Sequence, residues 1–285
     1  PQPLTALVQY DPALHAVSYQ TDVPTGCLSS RWVDDDAIAS TCRPPTPPAD
    51  CQTVCSMVWA DHRNFYSWDV ALDLTLALSA AAVLANTSLD EDFRHWYQDD
   101  VRNADTSRIG DGAKIYGNGW YVIPAFFGLA VAGSLFDDDS CGGVLGEFCA
   151  RTTRGYLVGG PPVAVMQSVL GGSRPMEGED GSRWAPFDDA NSVSGHAFVG
   201  AVPFITAAKM TDRPWLKAGL YACSTLTAWS RLDHDIHYLS QVCLGWWMAY
   251  LAAGAVDQTE TGCERFTLMP VTTPDMLGIG AVFER

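Results

Sequence analysis

The sequence predicts an all-α protein, a helical bundle with an irregular extension at its N-terminal end. Two observations support this fold class. From about residue 67 onward, the apolar residues gather in segments long enough for helices, and few of these segments show the period-two alternation that is typical of strands. Before residue 67 the chain is instead rich in cysteine and proline. The 285 residues, 47% hydrophobic and 18% charged, suffice for a sizeable core and exclude a disordered chain.

Residues 1–66 are predicted to form an extension that wraps the core. Within it, residues 43–48 contain four prolines and favour extended polyproline geometry. Most of the cysteines in the chain lie in polar or Gly-rich surroundings, which indicates disulfides formed in an oxidising compartment. These cysteines are Cys27, Cys42, Cys51, Cys55, Cys141, Cys149 and Cys263. Their pairing stays open, because the total of nine is odd and spacing alone does not fix connectivity.

The remaining two cysteines, Cys223 and Cys243, lie in apolar runs and are expected to be buried thiols. The disulfides predict an exported protein, located in the periplasm, at the cell surface or outside the cell. A chain that starts at Pro1 without methionine fits a removed signal peptide, and it fits a trimmed chain equally well.

The net charge of the chain restricts its partners. Lys and Arg number 17 and Asp and Glu number 33, so the formal net charge is −16. Nucleic acids and anionic membrane surfaces are bound through clustered basic residues. The acidic balance therefore excludes both as default partners.

Residues 67–257 are predicted to form the helical domain. An acidic amphipathic stretch lies at 89–103, and residues 258–285 are predicted to form a C-terminal tail docked on the core, with a short hairpin as an alternative form. The apolar segments of the domain lie at 69–86, 116–136, 156–170, 195–209, 215–230 and 236–254.

Two uncharged stretches, residues 115–136 and 236–256, approach the length that crosses a membrane. The first contains four glycines and Pro124, the second contains His237 and Gln241, and their flanks are acidic rather than basic. Apolar helices are also expected at the centre of a large bundle. The sequence therefore favours a soluble or peripheral bundle over an integral membrane protein.

Three separated segments carry the residues that indicate chemistry. Each leads into or out of an apolar segment that is predicted to be helical. The three segments are Gln167-Ser-Val-Leu-Gly-Gly-Ser-Arg174-Pro175, Ser192-Val193-Ser194-Gly195-His196 and Ser230-Arg231-Leu-Asp-His-Asp-Ile-His237-Tyr-Leu-Ser-Gln241.

These residue types suit the binding of an oxyanion. Gly195 and His196 open a helix whose free N–H groups and dipole attract an anion, and glycine permits close approach of the backbone. Arg174 and Arg231 each offer a planar fork that matches phosphate oxygens. His196 and His237 add two imidazoles that titrate near neutrality. Together these groups are the parts that phosphoryl transfer through a phospho-histidine requires.

The order and spacing of the three segments resemble the signature K-x6-R-P, P-S-G-H and S-R-x5-H-x3-D. This signature belongs to the type 2 phosphatidic acid phosphatase superfamily, which also includes bacterial class A acid phosphatases and vanadium haloperoxidases. The resemblance covers about residues 69–256, and it is most specific in the third segment, where Ser230, Arg231 and His237 keep the family's spacing. It implies a helical bundle of the phosphatidic acid phosphatase/haloperoxidase type.

The resemblance also implies a role for each matching residue. His237 corresponds to the nucleophile that attacks phosphorus, and His196 to the general acid that protonates the leaving oxygen and then activates water. The residues that correspond to phosphate-binding groups are Arg174, Arg231, Ser194, Gly195 and, at the position of the motif lysine, Gln167.

The chain departs from the signature at three positions. Gln167 replaces the lysine and removes one cation, whereas Val193 replaces a proline with mild effect. Gln241 replaces the aspartate four residues after His237, so it lies on the same helix face and can still orient the imidazole. An amide stabilises an imidazolium less than a carboxylate does.

The sequence thus predicts a metal-independent phosphate monoester hydrolase, of the acid or lipid phosphatase type, that acts on a phosphorylated small molecule or phospholipid without a cofactor. A vanadate-dependent haloperoxidase, in which His237 would bind vanadium, is one alternative. A catalytically degenerate binding or structural subunit is the other, since Gln167 and Gln241 replace two charged residues. A peripheral association with a membrane or a protein complex is compatible with either.

Overall fold

The computed structural model describes residues 54–137, 140–177 and 181–261, together with the backbone of four strands near the chain ends. The chain divides into two compact units, Pro1–Ala49 and Asp50–Arg285. The described part of the first unit is an antiparallel hairpin of β1 (Val8–Asp11) and β2 (Ala16–Tyr19), in which Val8 pairs with Tyr19.

The second unit is helical, as the sequence predicts. Its third helix continues into a π-helical turn and its fourth into a 3-10 turn. Its helices are α1 (Val54–Phe65), α2 (Trp68–Ala85), α3 (Leu89–Trp96, then Tyr97–Val101), α4 (Ala104–Ala113, then Lys114–Gly117), α5 (Gly119–Gly133), α6 (Cys141–Leu170), α7 (Gly195–Lys209), α8 (Pro214–Ser224), α9 (Leu226–Asp233) and α10 (Leu239–Thr261).

Polar residues fix where several of these helices begin. In each case a side-chain oxygen accepts a hydrogen bond from a backbone N–H of the first turn, which would otherwise lack a partner. The residues that cap α2, α4, α5, α6 and α7 in this way are Ser67, Asn103, Asn118, Ser140 and Ser194.

The core is centred on α7 and α10, whose contacting faces are fully buried. Two glycines allow the close helix packing that places the segments with candidate site residues together. A Cβ at Gly245 of α10 would lie 2.3 Å from the carbonyl oxygen of Ser194, and a Cβ at Gly200 of α7 would lie 2.3 Å from Oγ1 of Thr227 on α9. A larger residue at either position would push the helices apart.

Helix α1 lies inside the segment predicted to be an irregular extension. It packs against α6 and α10, because both carboxylate oxygens of its Asp61 bind the guanidinium of Arg154 at 2.6 and 2.7 Å, and Arg154 also pairs with Glu260. The helical unit therefore begins before the boundary expected at residue 66. The wrapping of the core by the residues before α1 stays a prediction.

The predicted disulfides are not found among the described cysteines. Cys55, Cys141, Cys149, Cys223 and Cys243 are free thiols. Cys141 and Cys149 both lie on α6, where eight residues separate them by about 12 Å, too far for a disulfide. The other cysteines with predicted disulfides, Cys27, Cys42, Cys51 and Cys263, lie outside the described residues. The expected burial is wrong for Cys243, which is exposed, and Cys223 is only half-buried. Cys149, which was expected in a disulfide, is a buried thiol.

The predicted exported location, with an integral membrane protein as the less favoured alternative, is wrong. Two described helices, α2 and α10, are long and apolar enough to cross a membrane, and α4 with α5 forms a third candidate that is bent by 53°. Only 17% of the candidate span in α2 is buried, and Trp68 at its start is 85% exposed. Large apolar side chains on an unburied helix face are expected against lipid. These features indicate an integral membrane protein.

The polar residues in these segments do not argue against membrane spans. Asp69 lies in the first turn of α2, where the helix dipole favours an acid. Gln241 faces the protein interior, so it does not meet lipid. Proline and glycine inside a membrane helix are tolerated more readily than the sequence interpretation assumed.

The C-terminal tail contains the predicted hairpin form. Strand β3 (Phe266–Thr273) pairs antiparallel with β4 (Met276–Phe283), with Phe266 opposite Phe283. Docking of this hairpin on the core stays a prediction.

Candidate active site

His237 lies in the short turn between α9 and α10, and the backbone of this turn is held in place by α3. Asp235 has a positive φ of 54°, a conformation that needs support in a residue other than glycine. Both of its carboxylate oxygens accept hydrogen bonds from Arg94 of α3, at 2.6 and 2.7 Å. The same guanidinium contacts raise the pKa of Arg94. This bidentate pair fixes the turn two residues before His237.

Two more residues of α3 bind the turn on its other side. Asp90 is buried and accepts hydrogen bonds from the backbone N–H and the hydroxyl of Ser240, so it caps the start of α10 from a distant part of the chain. Glu91 accepts a hydrogen bond from the hydroxyl of Tyr238, the residue next to His237. The turn is thus anchored at three points.

Gln241 fixes the orientation and the tautomer of His237. Its Nε2 donates to the carbonyl oxygen of Ser173 at 2.8 Å, and its Oε1 accepts from the backbone N–H of Tyr238 at 3.2 Å. These two backbone partners leave one orientation for the amide, with Oε1 toward the imidazole. Nδ1 of His237, 2.7 Å from Oε1, must then donate its proton. Nε2 of His237 consequently carries the lone pair.

Arg231 is the most unusual charge in the site. It is 6% exposed, its Nε–H is buried without a hydrogen-bond partner, and no acidic side chain within the described ranges forms an ion pair with it. Burial and the nearby guanidinium of Arg174 both lower the pKa of Arg231. A buried guanidinium that has no carboxylate partner is suited to bind an anion.

Arg174 lies closer to the surface. It forms an ion pair with Glu177 at 3.2 Å, and both side chains are partly exposed. Its Nε–H, like that of Arg231, is buried without a partner among the described residues. Part of this guanidinium therefore stays available to an oxyanion.

The start of α7 supplies backbone donors beside these arginines. Ser194 caps the helix by accepting from the N–H of Ala197 at 3.3 Å, which leaves the hydroxyl proton of Ser194 to donate elsewhere. The N–H of Gly195 belongs to the first turn, whose donors have no partner within the helix. His196 follows on the exposed side of this turn, at the rim of the site.

Gln167 lies against the same turn but has a different contact from the one expected. Its Nε2 donates to the carbonyl oxygen of Val193 at 2.8 Å, and a Cβ at Gly195 would lie 3.4 Å from that nitrogen. The amide therefore supports the backbone of the loop that carries Ser194. One of its two N–H groups remains for a bound anion.

The surroundings of the two histidines lower the pKa of both imidazoles. Burial lowers the pKa of His237 to about 4, with further lowering by Arg174, Arg231 and His196, while the hydrogen bond with Gln241 opposes the shift. His196 lies at the exposed rim, where partial desolvation of its ring, followed by the charges of Arg231 and Arg174, lowers its pKa. The arginines thus act on both imidazoles, which places all four side chains within electrostatic reach of one another.

The structure places the three sequence segments beside one another, because Gln241 contacts His237 and the carbonyl oxygen of Ser173, and its own carbonyl oxygen accepts from the N–H of Ser194 at 2.9 Å. His234, three residues before His237, takes no part in this cluster. It contacts the carbonyl oxygen of Ser230 at 2.7 Å and the carboxylate of Asp111 at 3.0 Å. Within the described ranges, no group of three or more His, Cys, Asp and Glu side chains could hold a metal ion.

Sequence reasoning missed the supporting residues. The contacts of Asp90, Glu91 and Arg94 join positions about 140 to 150 residues apart in the chain, and spacing along a sequence gives no signal for such pairs. The sequence indicates that the first turn of α3 belongs to an acidic amphipathic stretch, but it gives no sign of what these charged residues contact. Spacing along the sequence likewise gives no signal for the pairing of Glu177 with Arg174.

Comparisons with known proteins add one structural likeness. No protein-family model matches the chain, and no curated protein matches it. The structure is similar to the crystal structure of a transmembrane PAP2 type phosphatidylglycerolphosphate phosphatase from Bacillus subtilis, with 15% sequence identity and a TM-score of 0.40 over 75% of this chain and 96% of that chain. A likeness at this level assigns neither family nor activity, so the functional argument rests on the site residues.

Proposed function

We propose that the protein hydrolyses phosphate monoesters through a phospho-histidine formed on His237, in a helical bundle of the type 2 phosphatidic acid phosphatase kind. The observation that carries the proposal is the buried guanidinium of Arg231, which has no acidic partner among the described residues and lies within electrostatic reach of Arg174, His196 and His237. Phosphate is the dianion whose geometry matches two guanidinium forks and a helix N-terminus.

In the first step, Nε2 of His237 attacks phosphorus with its lone pair. The N–P bond forms as the ester P–O bond breaks, and the leaving oxygen takes a proton from the imidazolium of His196. Arg174, Arg231 and the N–H of Gly195 donate to the three equatorial oxygens, where negative charge is spread in the transition state.

In the second step, His196 removes a proton from a water molecule, whose oxygen attacks phosphorus. The N–P bond breaks, inorganic phosphate leaves, and the electron pair returns to Nε2 of His237. The oxygen of Gln241 holds the Nδ1 proton through both steps, so the ring need not change tautomer.

The lowered pKa of His196 fits this cycle once substrate is considered. The arginines lower the pKa in the free site, and a bound phosphate dianion offsets their charge. Substrate binding therefore raises the pKa of His196, so its imidazole is protonated, and able to act as the general acid, when a leaving group is present.

We propose a phosphorylated lipid as the substrate class. The residues of the site lie next to the start of α10, a candidate membrane span, so an amphiphile in the bilayer can present its phosphate there. A protein of net charge −16 does not attract soluble anions over a distance, whereas a membrane-held substrate needs no such attraction.

A substrate panel with two histidine variants tests the proposal. The purified protein in detergent should release phosphate from at least one lipid phosphate, with inhibition by vanadate, and His237→Asn should abolish release. His234→Asn is the matched control, because His234 contacts Ser230 and Asp111 instead of the cluster, and this variant should retain activity. Full activity in His237→Asn would refute the mechanism.

A further inference from the structure

The chain between α6 and α7 forms a compact loop, and we call its described residues, 171–177 and 181–194, the site loop. The N–H of Ala185 donates to the carbonyl oxygen of Gly171 at 3.1 Å, which ties the two halves of the site loop together. Arg174 belongs to its first half. The position of this guanidinium therefore depends on how the site loop is held.

The site loop also contacts the support of His237. The carbonyl oxygen of Ser173 accepts the hydrogen bond from Gln241, the residue that orients the imidazole. The N–H of Gly172 donates at 2.6 Å to the hydroxyl oxygen of Ser192, in the second half of the site loop. A displacement of the site loop would therefore disturb the candidate active site directly.

The site loop lies at the level where a candidate membrane span ends. The hydroxyl of Ser182 donates to the carbonyl oxygen of Ala85 at 3.0 Å, and the N–H of Trp184 donates to Oδ1 of Asn86 at 3.2 Å. Ala85 is the last residue of α2, and Asn86 is its C-cap. Because α2 is a candidate span with an apolar face that is largely exposed, its end marks the surface of the bilayer.

On this loop the ring of Phe187 is 76% exposed. The N–H of Phe187 donates to the carbonyl oxygen of Ser168 at 2.9 Å, so the residue lies beside the last turn of α6. An exposed apolar stripe with a spacing of four residues runs along α6 to this point. The stripe consists of Leu157, Pro161, Val165 and Val169. Phe187 therefore continues an apolar surface of the kind that is expected against lipid.

The backbone of Phe187 is strained. Its φ is 67°, a left-handed conformation that crowds the Cβ of a bulky residue. Strain of this kind is typical of positions that serve a function. A largely exposed ring gains little packing energy from the protein itself in return. The strain and the exposure together indicate a partner outside the chain.

We propose that Phe187 inserts into the surface of the bilayer, and that this contact holds the site loop, with Arg174, in place for a lipid phosphate. Aromatic rings are favoured in the interfacial region of a membrane. Asp188 and Asp189 follow the ring directly, so it suits a zwitterionic surface better than an anionic one. The effect on catalysis rests on the proposed function, whereas the membrane contact does not.

Photo-crosslinking tests the membrane contact. The full chain, with 4-benzoylphenylalanine substituted at Phe187, is reconstituted in vesicles of radiolabelled phosphatidylcholine and irradiated. The matched control has the same substitution at Asp99, an exposed acidic residue near the end of α3. We expect roughly tenfold more lipid label on the peptide that contains position 187 than on the control peptide. Equal labelling of the two peptides, or no label at position 187, would overturn the inference.

Two further substitutions show whether the ring serves the fold instead. Phe187→Gly removes the ring and the strain together, because glycine adopts a positive φ freely, whereas Phe187→Ala removes the ring alone. In detergent, the midpoint of chemical denaturation should rise in Phe187→Gly and stay unchanged in Phe187→Ala. A lower midpoint in both variants would show that the ring packs on the protein, and it would overturn the inference.

Activity in vesicles tests the effect on the site. Phe187→Ala should lower kcat/KM for phosphatidic acid in phosphatidylcholine vesicles roughly threefold to tenfold, because the site loop is less well placed. Phe187→Trp keeps an interfacial ring and should retain full activity. Full activity in Phe187→Ala would exclude the effect on the site. If the unaltered protein hydrolysed no lipid phosphate, the proposed function would fail, while the crosslinks would still decide the membrane contact.

Discussion

A buried arginine without a counter-ion destabilises a folded protein, and Arg231 is such a residue. We therefore predict that Arg231→Met raises the free energy of unfolding by roughly 1–3 kcal/mol, because it removes an uncompensated charge. The same change should weaken phosphate or vanadate binding roughly 10–100-fold, since it removes charge-assisted hydrogen bonds. Denaturant titration in detergent measures the first effect, and calorimetry measures the second.

Arg154 provides the matched comparison. It is also buried, but it pairs with Asp61 and Glu260, so Arg154→Met leaves two carboxylates without their partner. The free energy of unfolding should fall by roughly 3–5 kcal/mol. Equal losses of stability in the two variants would show that Arg231 serves structure rather than anion binding.

The amide of Gln241 acts through His237 and is a positioning residue. Gln241→Leu removes the acceptor of the Nδ1 proton, so the imidazole loses its fixed orientation. We expect kcat to fall roughly 10–100-fold with a smaller change in KM. Nitrogen NMR of labelled His237 should show the Nδ1–H tautomer in the unaltered protein and a mixture in the variant. A single tautomer in both proteins would contradict this role.

The low pKa of His237 sets an expected pH dependence. Its value of about 4 keeps Nε2 unprotonated across the mildly acidic range, so kcat/KM, corrected for substrate ionisation, should keep its acid limb near pH 4. A limb near 6.5, the ordinary value for histidine, would contradict the buried position.

The lowered pKa of His237 also makes the free energy of unfolding depend on pH. The unfolded chain binds the proton first as the pH falls below about 6.5, so the free energy of unfolding should decrease from there toward pH 4. In the variant His237→Asn, the free energy of unfolding should fall less over this pH range.

At the scale of elements, α3 is the support of the catalytic turn. Arg94→Gln breaks the bidentate contact with Asp235 and releases a residue held at positive φ. We predict a roughly tenfold loss of kcat with little change in KM, because the turn carries the nucleophile and not the phosphate clamps.

Arg102→Gln is the control for Arg94. Arg102 contacts Gln98 and Ser107 on the exposed side and does not reach the turn. The activity of the variant Arg102→Gln should equal that of the unaltered protein. Equal effects of the two changes, or a change confined to KM, would exclude the positioning role of α3.

The sequence predicted the helices, but it did not predict the contacts of α3 that support the turn between α9 and α10. Spacing within each short segment reflects local helix geometry, so Gln241 was correctly placed on the face of His237. The positions of Asp90 and Ser240 relative to each other depend on tertiary packing, which no spacing records. Cys141 and Cys149 show the opposite error, because the Gly-rich surroundings that indicated a disulfide belong to the first part of a long helix.

At the scale of the whole molecule, the membrane assignment changes the meaning of the exposed apolar residues. Trp120 and Trp68 would be unfavourable in water at 89% and 85% exposure, and they suit the interface of a bilayer. The balance of 17 basic against 33 acidic residues, which excluded anionic surfaces as partners, does not bear on a protein held by its own apolar helices.

The membrane assignment has a direct biochemical check. The protein should remain with the membrane fraction after extraction at alkaline pH and should be released by detergent, because α2 and α10 are long and apolar enough to cross the hydrocarbon region. Release by alkali alone would contradict the assignment.

The central claim is that phosphoryl transfer passes through Nε2 of His237. Rapid acid-free quenching after mixing with a radiolabelled lipid phosphate, followed by peptide mapping, tests it most directly. We predict alkali-stable, acid-labile label on the peptide containing His237, and none in His237→Asn. Turnover without any label on that peptide, or label on another residue, would contradict the mechanism.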